Sequence, residues 1–327
     1  MFKQMLVFTL SLLLVLLAGS CKKAGQKDAE GLRKLRVVLD WTPNTNHTGL
    51  YVAQELGYFK EAGLIVEIIQ PGEYTAEKIV ALGQAEFGVS YQESVTIARS
   101  EKIPIKSIAA IIQHNTSGFA SLKESGIESV KDFAGKRYGS SGWPSELEII
   151  RHLMEAAAAD YSTLKVISGV YDFFTTIGKD ADFEWIYHGW DGVQAKRRGI
   201  ELNYIPIRDL DPIFDFYTPV LISGEQLINS EPELVKSFVK AVSRGYDYCI
   251  AEPQKAAAIL AKADPNLDPE HVRLSMEYLS GEYRSDAPKW GFQKTEVWQR
   301  FADWMQARRI ITEPVKAEDL FTNEFLP

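Results

Sequence analysis

A short segment near the start of the chain combines several side chains that can recognise a small molecule. Residues 40–51 read DWTPNTNHTGLY and follow a predicted strand at 34–40. The segment contains a carboxylate, an indole, an amide and an imidazole: Asp40, Trp41, Asn44 and His47. Ligands of open α/β sheets gather outside the carboxyl ends of strands, so we predict ligand contact here. His47 is equally compatible with a structural role, and Asn46 or Thr48 is better explained as a helix cap.

A second segment of this kind follows the predicted strand at 183–187. It places Tyr187 and Trp190 near the strand end, with Asp191 directly after the indole. Aromatic faces and a carboxylate together suit a flat ring that carries hydrogen-bond donors. The alternative for Asp191 is an N-cap of the helix predicted at 192–197.

Four further candidates lie at other predicted strand ends or where the chain enters a crossing: Tyr91, Ser117, Ser141 and Gly142. Tyr91 follows the short strand at 86–89. The hydroxyls and N–H groups of residues 140–142 precede a predicted helix and could donate to an oxygen atom or an anion. An ordinary turn or cap explains each of these positions equally well.

The elements that position these residues alternate between short β-branched runs and amphipathic stretches. Such alternation predicts βαβ units and an α/β fold with mainly parallel sheets. Two blocks, about 34–113 and 120–215, precede a region of nearly continuous helix from residue 231. Extended segments at 118–122 and 217–222 are predicted to be two crossings between lobes. Two sequential domains followed by a helical bundle are the alternative arrangement.

The amino terminus has the features of an export signal. Residues 5–18 form an apolar run that is shorter than the roughly 20 residues needed to span a bilayer. Small residues then lead to Cys21, and this boundary resembles a bacterial lipobox. We predict a signal peptide at 1–20, lipid attachment at Cys21 and a flexible linker at 21–33. An ordinary secretory signal with an incidental cysteine is the alternative.

Composition excludes several classes of protein and site. The formal net charge of −8 argues against a nucleic-acid partner, because phosphate binding requires clustered Lys and Arg. Cys21 and Cys249 are the two cysteines, so no disulfide framework is expected. The five histidines lack metal-ligand spacing, and no nucleophile elbow or phosphate-binding loop is present. We therefore expect neither a metal nor another cofactor.

Five motifs resemble those of the thiamine-pyrimidine family, which contains periplasmic-type receptors and fungal enzymes that make hydroxymethylpyrimidine phosphate. They are DWTPNTNHTG at 40–49, GYFKEAGL at 57–64, FAGKRYG at 133–139, GWP at 142–144 and GWDG at 189–192. The Gly-Tyr-Phe element is shared with receptors for aliphatic sulfonates and nitrate. The Asp-Trp-Thr-Pro-Asn and Gly-Trp-Asp combinations are narrower, and the resemblance covers nearly the whole mature chain.

The resemblance implies a type II periplasmic-binding-protein fold with two lobes, one formed by 34–116 plus 218–327 and the other by 117–217. It implies an ABC-importer receptor that binds an aminopyrimidine thiamine precursor, with N-formyl-4-amino-5-aminomethyl-2-methylpyrimidine as the expected ligand. Asp191 would then accept from the amino group of the pyrimidine. The expected partners are a permease and its ATPase, and the expected protein is a lipid-anchored monomer on the extracytoplasmic face of the membrane.

Two other functions remain open. A receptor for an aliphatic sulfonate, nitrate or a nucleobase-like ring would share the fold, although anion receptors rely less on aromatic side chains. The fungal enzymes use a histidine for which His47 is the nearest candidate. Resemblance to them also involves a cysteine-rich stretch that this chain lacks, and we expect no enzymatic activity.

Overall fold

The computed structural model describes residues 31–327, so the signal peptide, Cys21 and most of the linker lie outside the described residues. Short strands alternate with helices through the first two thirds of this part of the chain. The strands are β1 Arg33–Val38, β2 Leu64–Ile69, β3 Phe87–Ser90, β4 Ile105–Ala110, β5 Ser117–Leu122, β6 Arg137–Ser140, β7 Lys165–Ser168, β8 Phe183–Tyr187, β9 Leu202–Pro206 and β10 Val220–Gly224.

Helices cover the sheets and form most of the carboxyl-terminal region. They are α1 Thr48–Glu55, α2 Tyr58–Glu61, α3 Ala76–Ala81, α4 Gln92–Ser100, α5 Glu146–Ala156, α6 Phe173–Thr176, α7 Val193–Arg197, α8 Ile207–Leu210, α9 Glu225–Ser230, α10 Pro232–Ala251, α11 Pro253–Ala263, α12 Pro269–Leu279, α13 Thr295–Ala307 and α14 Ala317–Leu320. Helices α10, α11 and α12 begin with proline, whose missing N–H costs nothing in the first turn. Among residues 31–327, no helix is long and apolar enough to span a membrane.

The strands form two five-stranded sheets with the same arrangement. The first sheet has the order β2-β1-β3-β10-β4, and the second has the order β7-β6-β8-β5-β9. In each sheet the fourth strand, β10 or β5, runs antiparallel to both neighbours, and the other strands are parallel. The chain passes to the second sheet between residues 110 and 117 and returns between 206 and 220. The predicted α/β architecture, with two halves, mixed sheets and two crossings, is confirmed.

The position of the first crossing differs from the prediction. Residues 118–122 belong to β5, because Phe119 and Ala120 pair with β8 on one side and with β9 on the other. The chain instead crosses just before this strand. In the same way, the extended run at 217–222 enters β10 at Val220. An extended apolar segment has the same appearance in a sequence whether it links two lobes or pairs within one.

Each sheet has its own apolar core, and one helix contributes to both regions. Val37 and Phe238 belong to the core beside the first sheet, and Phe183 belongs to the core beside the second. Helix α13 places Phe301 in the second core, whereas Trp298 packs in a cluster with strands of the first sheet. Helix α13 therefore packs against both halves of the molecule.

Candidate ligand-binding cleft

A cavity of about 540 Å³ is lined by the segments that follow four parallel strands. Asp40 and Trp41 follow β1, Tyr91 follows β3, Ser141 follows β6, and the turn His188–Gly192 follows β8. Both sheets thus contribute the carboxyl ends of strands, where ligands of open α/β sheets bind. The volume lies in the range of about 300–1,000 Å³ that is typical of small-molecule sites.

Asp40 is the centre of a hydrogen-bonded group at one end of this cavity. Nε2 of His47 lies 2.6 Å from Asp40 Oδ1, and the Tyr91 hydroxyl donates to Oδ2 at 2.5 Å. The main-chain N–H of Asn44 donates to Nδ1 of His47 at 3.2 Å, which leaves the ring proton on Nε2 facing Asp40. Burial acts to raise the pKa of Asp40, but His47 and Tyr91 outweigh it and lower that pKa overall. Asp40 therefore stays ionised, with both oxygens bound within the protein.

His47 is fully buried and does not line the cavity. Of the two roles predicted for it, ligand contact and structural support, its position fits structural support. The side chain of Asn44 caps the turn Thr45–His47, and its Oδ1 accepts from the N–H of Asn46 at 2.9 Å. The prediction that Asn46 or Thr48 caps this segment is therefore wrong. Asn44 also lines the cavity, so capping does not remove it from the site.

Aromatic rings from both halves of the protein meet across the cavity. The rings of Tyr91 and Trp143 are 4.7 Å apart between centroids, and those of Trp143 and Tyr187 are 6.4 Å apart. Trp41 also lines the cavity and is 58 % exposed, so its indole is accessible to a ligand. These rings provide flat apolar surfaces that suit a planar molecule.

The sequence GWDG forms part of a π-helical turn, His188–Gly192, a local geometry that is frequent at functional sites. Asp191 Oδ2 accepts from the main-chain N–H of Tyr187 at 3.1 Å, which is four residues earlier in the chain. Asp191 is therefore not the helix N-cap that we considered as its alternative. Burial raises the pKa of Asp191 to about 6, because the ionised form loses its water.

The donors at residues 140–142 are directed at a buried carboxylate. Glu146 accepts from the Ser140 hydroxyl at 2.7 Å, from the Gly142 N–H at 3.0 Å, and from the Tyr138 hydroxyl. The N–H of Ser141 also points to Glu146, at 3.3 Å. These groups fix the loop after β6 and are not free to bind an anion.

The cavity carries an excess of acidic groups. Six carboxyl side chains line it: Asp40, Glu93, Glu146, Asp172, Glu184 and Asp191. Among the described residues that line it, Arg198 is the one arginine and there is no lysine; its guanidinium stacks 4.1 Å from the Phe174 ring centre. Burial lowers the pKa of His271 to about 4, so this imidazole is uncharged at neutral pH. The cavity therefore disfavours anions.

A family model described as "NMT1/THI5 like" matches residues 44–256. The chain belongs to this family. A formylaminopyrimidine-binding protein of Halalkalibacterium halodurans is 30% identical over 95% of this chain and 96% of the relative. A 4-amino-5-hydroxymethyl-2-methylpyrimidine phosphate synthase of Legionella pneumophila is 27% identical over 90% of this chain and 92% of that enzyme. Relatives of this NMT1/THI5-like protein thus include both a binding protein and a synthase.

The fold of the NMT1/THI5-like chain also occurs in solved structures. The alkanesulfonate-binding protein SsuA from Xanthomonas axonopodis pv. citri superposes with a TM-score of 0.68 at 12% identity, covering 91% of this chain and 99% of SsuA. This likeness confirms the predicted type II periplasmic-binding-protein fold. At this identity it says nothing about the ligand.

Nine of the eleven residues predicted for the site line the cavity of the NMT1/THI5-like protein: Asp40, Trp41, Asn44, Tyr91, Ser117, Ser141, Tyr187, Trp190 and Asp191. His47 lies behind Asp40, and Gly142 faces Glu146. Ser117 donates its N–H and hydroxyl to Asn115 Oδ1 at 2.9 and 2.6 Å. Contact with a ligand remains a prediction for each of these residues.

Of the cavity residues that were not predicted from the sequence, Trp143 and Glu184 are the most informative. Trp143 lies in the GWP motif after β6, and its position at the end of a strand could have identified it as a cavity residue. Glu184 lies inside β8, where a single glutamate in an apolar run reads as a solvent-facing position. Its side chain instead packs against Gly139. A Cβ added to Gly139 would lie 2.8 Å from Glu184 Cγ. Burial raises the pKa of Glu184 to about 7, despite a 2.6 Å hydrogen bond from Thr176.

Residues 31–327 hold no group of three or more His, Cys, Asp and Glu side chains that could bind a metal ion. Cys249 is fully buried in the core beside the first sheet. Burial also raises the pKa of its thiol, so the thiol stays protonated at neutral pH and is a poor nucleophile.

Proposed function

We propose that this protein is the extracytoplasmic solute receptor of an ABC importer and binds an aminopyrimidine precursor of thiamine. The proposed ligand is N-formyl-4-amino-5-aminomethyl-2-methylpyrimidine. One observation carries the proposal: aromatic rings from both halves line the same cavity as the partly buried carboxyl of Asp191, and this cavity has little positive charge. The binding-protein relative at 30% identity supports the same ligand class.

The chemistry of the ligand matches these groups. Tyr187, Trp190 and Trp143 present rings to the flat faces of the pyrimidine. Asp191 can accept from the exocyclic amino group and share a proton with the neighbouring ring nitrogen, because its pKa of about 6 allows both protonation states. Such paired hydrogen bonds fix the orientation of the ring.

Binding would proceed by closure of two lobes. Lobe one, residues 34–116 plus 218–327, supplies Trp41 and Asn44, and lobe two, residues 117–217, supplies Tyr187, Trp190 and Asp191. A ligand held by both lobes binds the closed form better than the open form and so shifts the population toward it. The closed receptor would then deliver the ligand to a permease driven by its ATPase.

A receptor for an aliphatic sulfonate or nitrate is the main alternative. Such a ligand requires donors and positive charge, whereas six carboxyls line this cavity. The donors of Ser140 and Gly142 are already bound to Glu146. These features favour an uncharged or cationic ligand over an anion.

We propose a binding role without catalysis, although several relatives, such as the Legionella pneumophila protein, are named as pyrimidine phosphate synthases. The product of such a synthase carries a phosphate, which the acidic cavity disfavours. His47, the nearest candidate for a catalytic histidine, is buried and has both ring nitrogens hydrogen-bonded within the protein. No metal or other cofactor enters the proposal.

The cellular setting is proposed from the sequence. Removal of residues 1–20 and lipidation of Cys21 would anchor a monomer to the extracytoplasmic face of the membrane. The anchor would keep the receptor near its permease and raise its effective concentration there.

Isothermal titration of the mature protein tests the proposal. We expect the formylated aminopyrimidine to bind with a dissociation constant of about 1 μM or lower, and an alkanesulfonate and nitrate to give no heat. Native mass spectrometry of freshly purified protein should show a pyrimidine mass if ligand co-purifies. Tight binding of an alkanesulfonate without pyrimidine binding would contradict the proposal and support the alternative receptor.

A further inference from the structure

Helix α12 faces the second half of the molecule along its whole length. Its own core residues, Val272 and Met276, pack with the first sheet. On the neighbouring face, and just beyond each end of the helix, residues spaced three or four apart each contact the second half. The pairs are Asp268–Arg197, His271–Trp190, Ser275–Gly189, Tyr278–His188 and Glu282–Arg208.

The pair at the centre of this stripe links the two ligand loops. The Ser275 hydroxyl donates to the Gly189 carbonyl, in the turn that carries Asp191. The hydroxyls of Thr45 and Ser275 lie 2.6 Å apart, and Thr45 belongs to the turn that follows Asp40. Because Ser275 gives its single proton to a carbonyl, Thr45 must be the donor in the second bond.

This chain of hydrogen bonds is buried. Thr45 and Ser275 are 1 % and 0 % exposed, and Gly189 is buried as well. Thr45 is fixed from its own side, since the Tyr283 hydroxyl donates to its carbonyl at 2.6 Å. Buried polar groups are costly when unpaired, so these three groups favour the arrangement in which all are satisfied.

Gly189 is also a point of close approach between the halves. A Cβ added there would lie 2.8 Å from Leu279 Cδ2 and 3.1 Å from Tyr278 Cδ1, both at the end of α12. A side chain at this position would require Leu279 and Tyr278 to shift, which disfavours close contact between the halves. The absence of a side chain at Gly189 therefore permits the hydrogen bond to Ser275.

We propose that Ser275 is a positioning residue that couples the two ligand loops when the lobes close, an inference that rests on the proposed function. Closure brings Gly189 onto Ser275, and Thr45 then completes the chain. The carboxyl of Asp191 and the loop that contains Trp41 are thereby set at a fixed separation, and opening breaks a buried hydrogen bond.

Stopped-flow fluorescence with N-formyl-4-amino-5-aminomethyl-2-methylpyrimidine tests the coupling. For Ser275→Ala we expect the dissociation rate to rise about tenfold, with the association rate within about twofold of wild type, because the bond forms after ligand entry. Ser280→Ala is the matched control, since Ser280 lies just beyond the same helix and its hydroxyl donates only to Glu277 within the first half. The control should leave both rates unchanged.

Gly189→Ala supplies a second test, because the added Cβ opposes closure. With saturating N-formyl-4-amino-5-aminomethyl-2-methylpyrimidine, small-angle scattering should give the variant a larger radius of gyration than wild type, with an unchanged melting temperature of the ligand-free protein. Gly281→Ala is its control, because an added Cβ there meets only the Tyr278 carbonyl at 3.9 Å.

Two results would overturn the inference: unchanged dissociation from Ser275→Ala, or a lower melting temperature for Gly189→Ala without a change in size. The second result would mean that the contacts are permanent packing. Failure of wild type to bind any pyrimidine would instead contradict the proposed function.

Discussion

Asp40, which lines the cleft, and His47, which lies behind it, form a buried pair, with Nε2 of His47 2.6 Å from Asp40 Oδ1. The N–H of Asn44 fixes the tautomer of the imidazole, and Tyr91 donates to the second carboxylate oxygen. The pair therefore holds the first loop and the Tyr91 ring in place. In the DWTPNTNH motif, the histidine supports the carboxylate and does not itself line the cavity.

Replacing His47 by alanine removes the hydrogen bond to Oδ1 of Asp40, so this oxygen loses its partner in a buried site. We expect the free energy of unfolding at pH 7 to fall by about 2–4 kcal/mol, because hydrogen bonds to buried charges are among the stronger ones. Urea denaturation measures this change. Tyr91→Phe removes only the second bond to Asp40, so a smaller loss is expected; equal stability of His47→Ala and wild type would show that the pair does not brace the loop.

Asp191 is the carboxyl that we expect to fix the pyrimidine edge. Asp191→Ala should weaken binding of the formylated pyrimidine at least about tenfold, and Asp191→Asn should weaken it less because an amide keeps one donor and one acceptor. Calorimetry at pH 7 measures both. Asp180→Ala removes an exposed carboxylate from the same half of the protein and should not change affinity. Unchanged affinity in Asp191→Ala would remove this residue from the site while leaving the receptor proposal intact.

Trp143 contacts both Tyr91 and Tyr187 across the cavity. Replacing it by alanine should weaken pyrimidine binding by about three- to tenfold, since an aromatic pair contributes about 0.5–1.5 kcal/mol beyond area burial. Trp143→Phe keeps a stacking surface and should recover most of the affinity. If alanine and phenylalanine weaken binding to the same extent, the indole acts by some means other than stacking.

Hydrophobic periodicity was sufficient to predict the alternating elements of this fold. The proline-initiated helices α10, α11 and α12 and the carboxyl ends of β1 and β8 follow from local pattern alone. The pairing of residues 118–122 within the second sheet does not, because an extended run carries no information about its neighbours. Strand order and the exact crossing points depend on such long-range pairing.

The rule that ligands gather at strand ends selected residues that mostly line the cleft, but it did not give the hydrogen-bond partners of each group. It could not predict that Glu146 would take the donors of Ser140 and Gly142, since Glu146 reaches them only after α5 packs. Nor could it predict that Glu184 points into the protein, which depends on the absence of a side chain at Gly139. Side-chain partners are set by tertiary packing rather than by local pattern.

Glu184 gives a prediction about pH. Burial raises its pKa from an ordinary value of 4.5 to about 7, so the folded protein keeps this proton where the unfolded chain has lost it. Between about pH 4.5 and pH 7, a rise in pH therefore disfavours folding through this group. Its contribution to stability is fully present below pH 4.5 and is lost as the pH rises through 7.

Glu184→Gln removes the titrating proton and keeps the shape of the side chain. Relative to wild type, the free energy of unfolding of the variant should therefore increase by about 1–3 kcal/mol between pH 5 and pH 8. Urea denaturation at the two pH values measures the difference. Glu124→Gln, at an exposed position in the same half, should show no such change. A constant difference between Glu184→Gln and wild type at both pH values would show that Glu184 ionises in the cavity as it does in water.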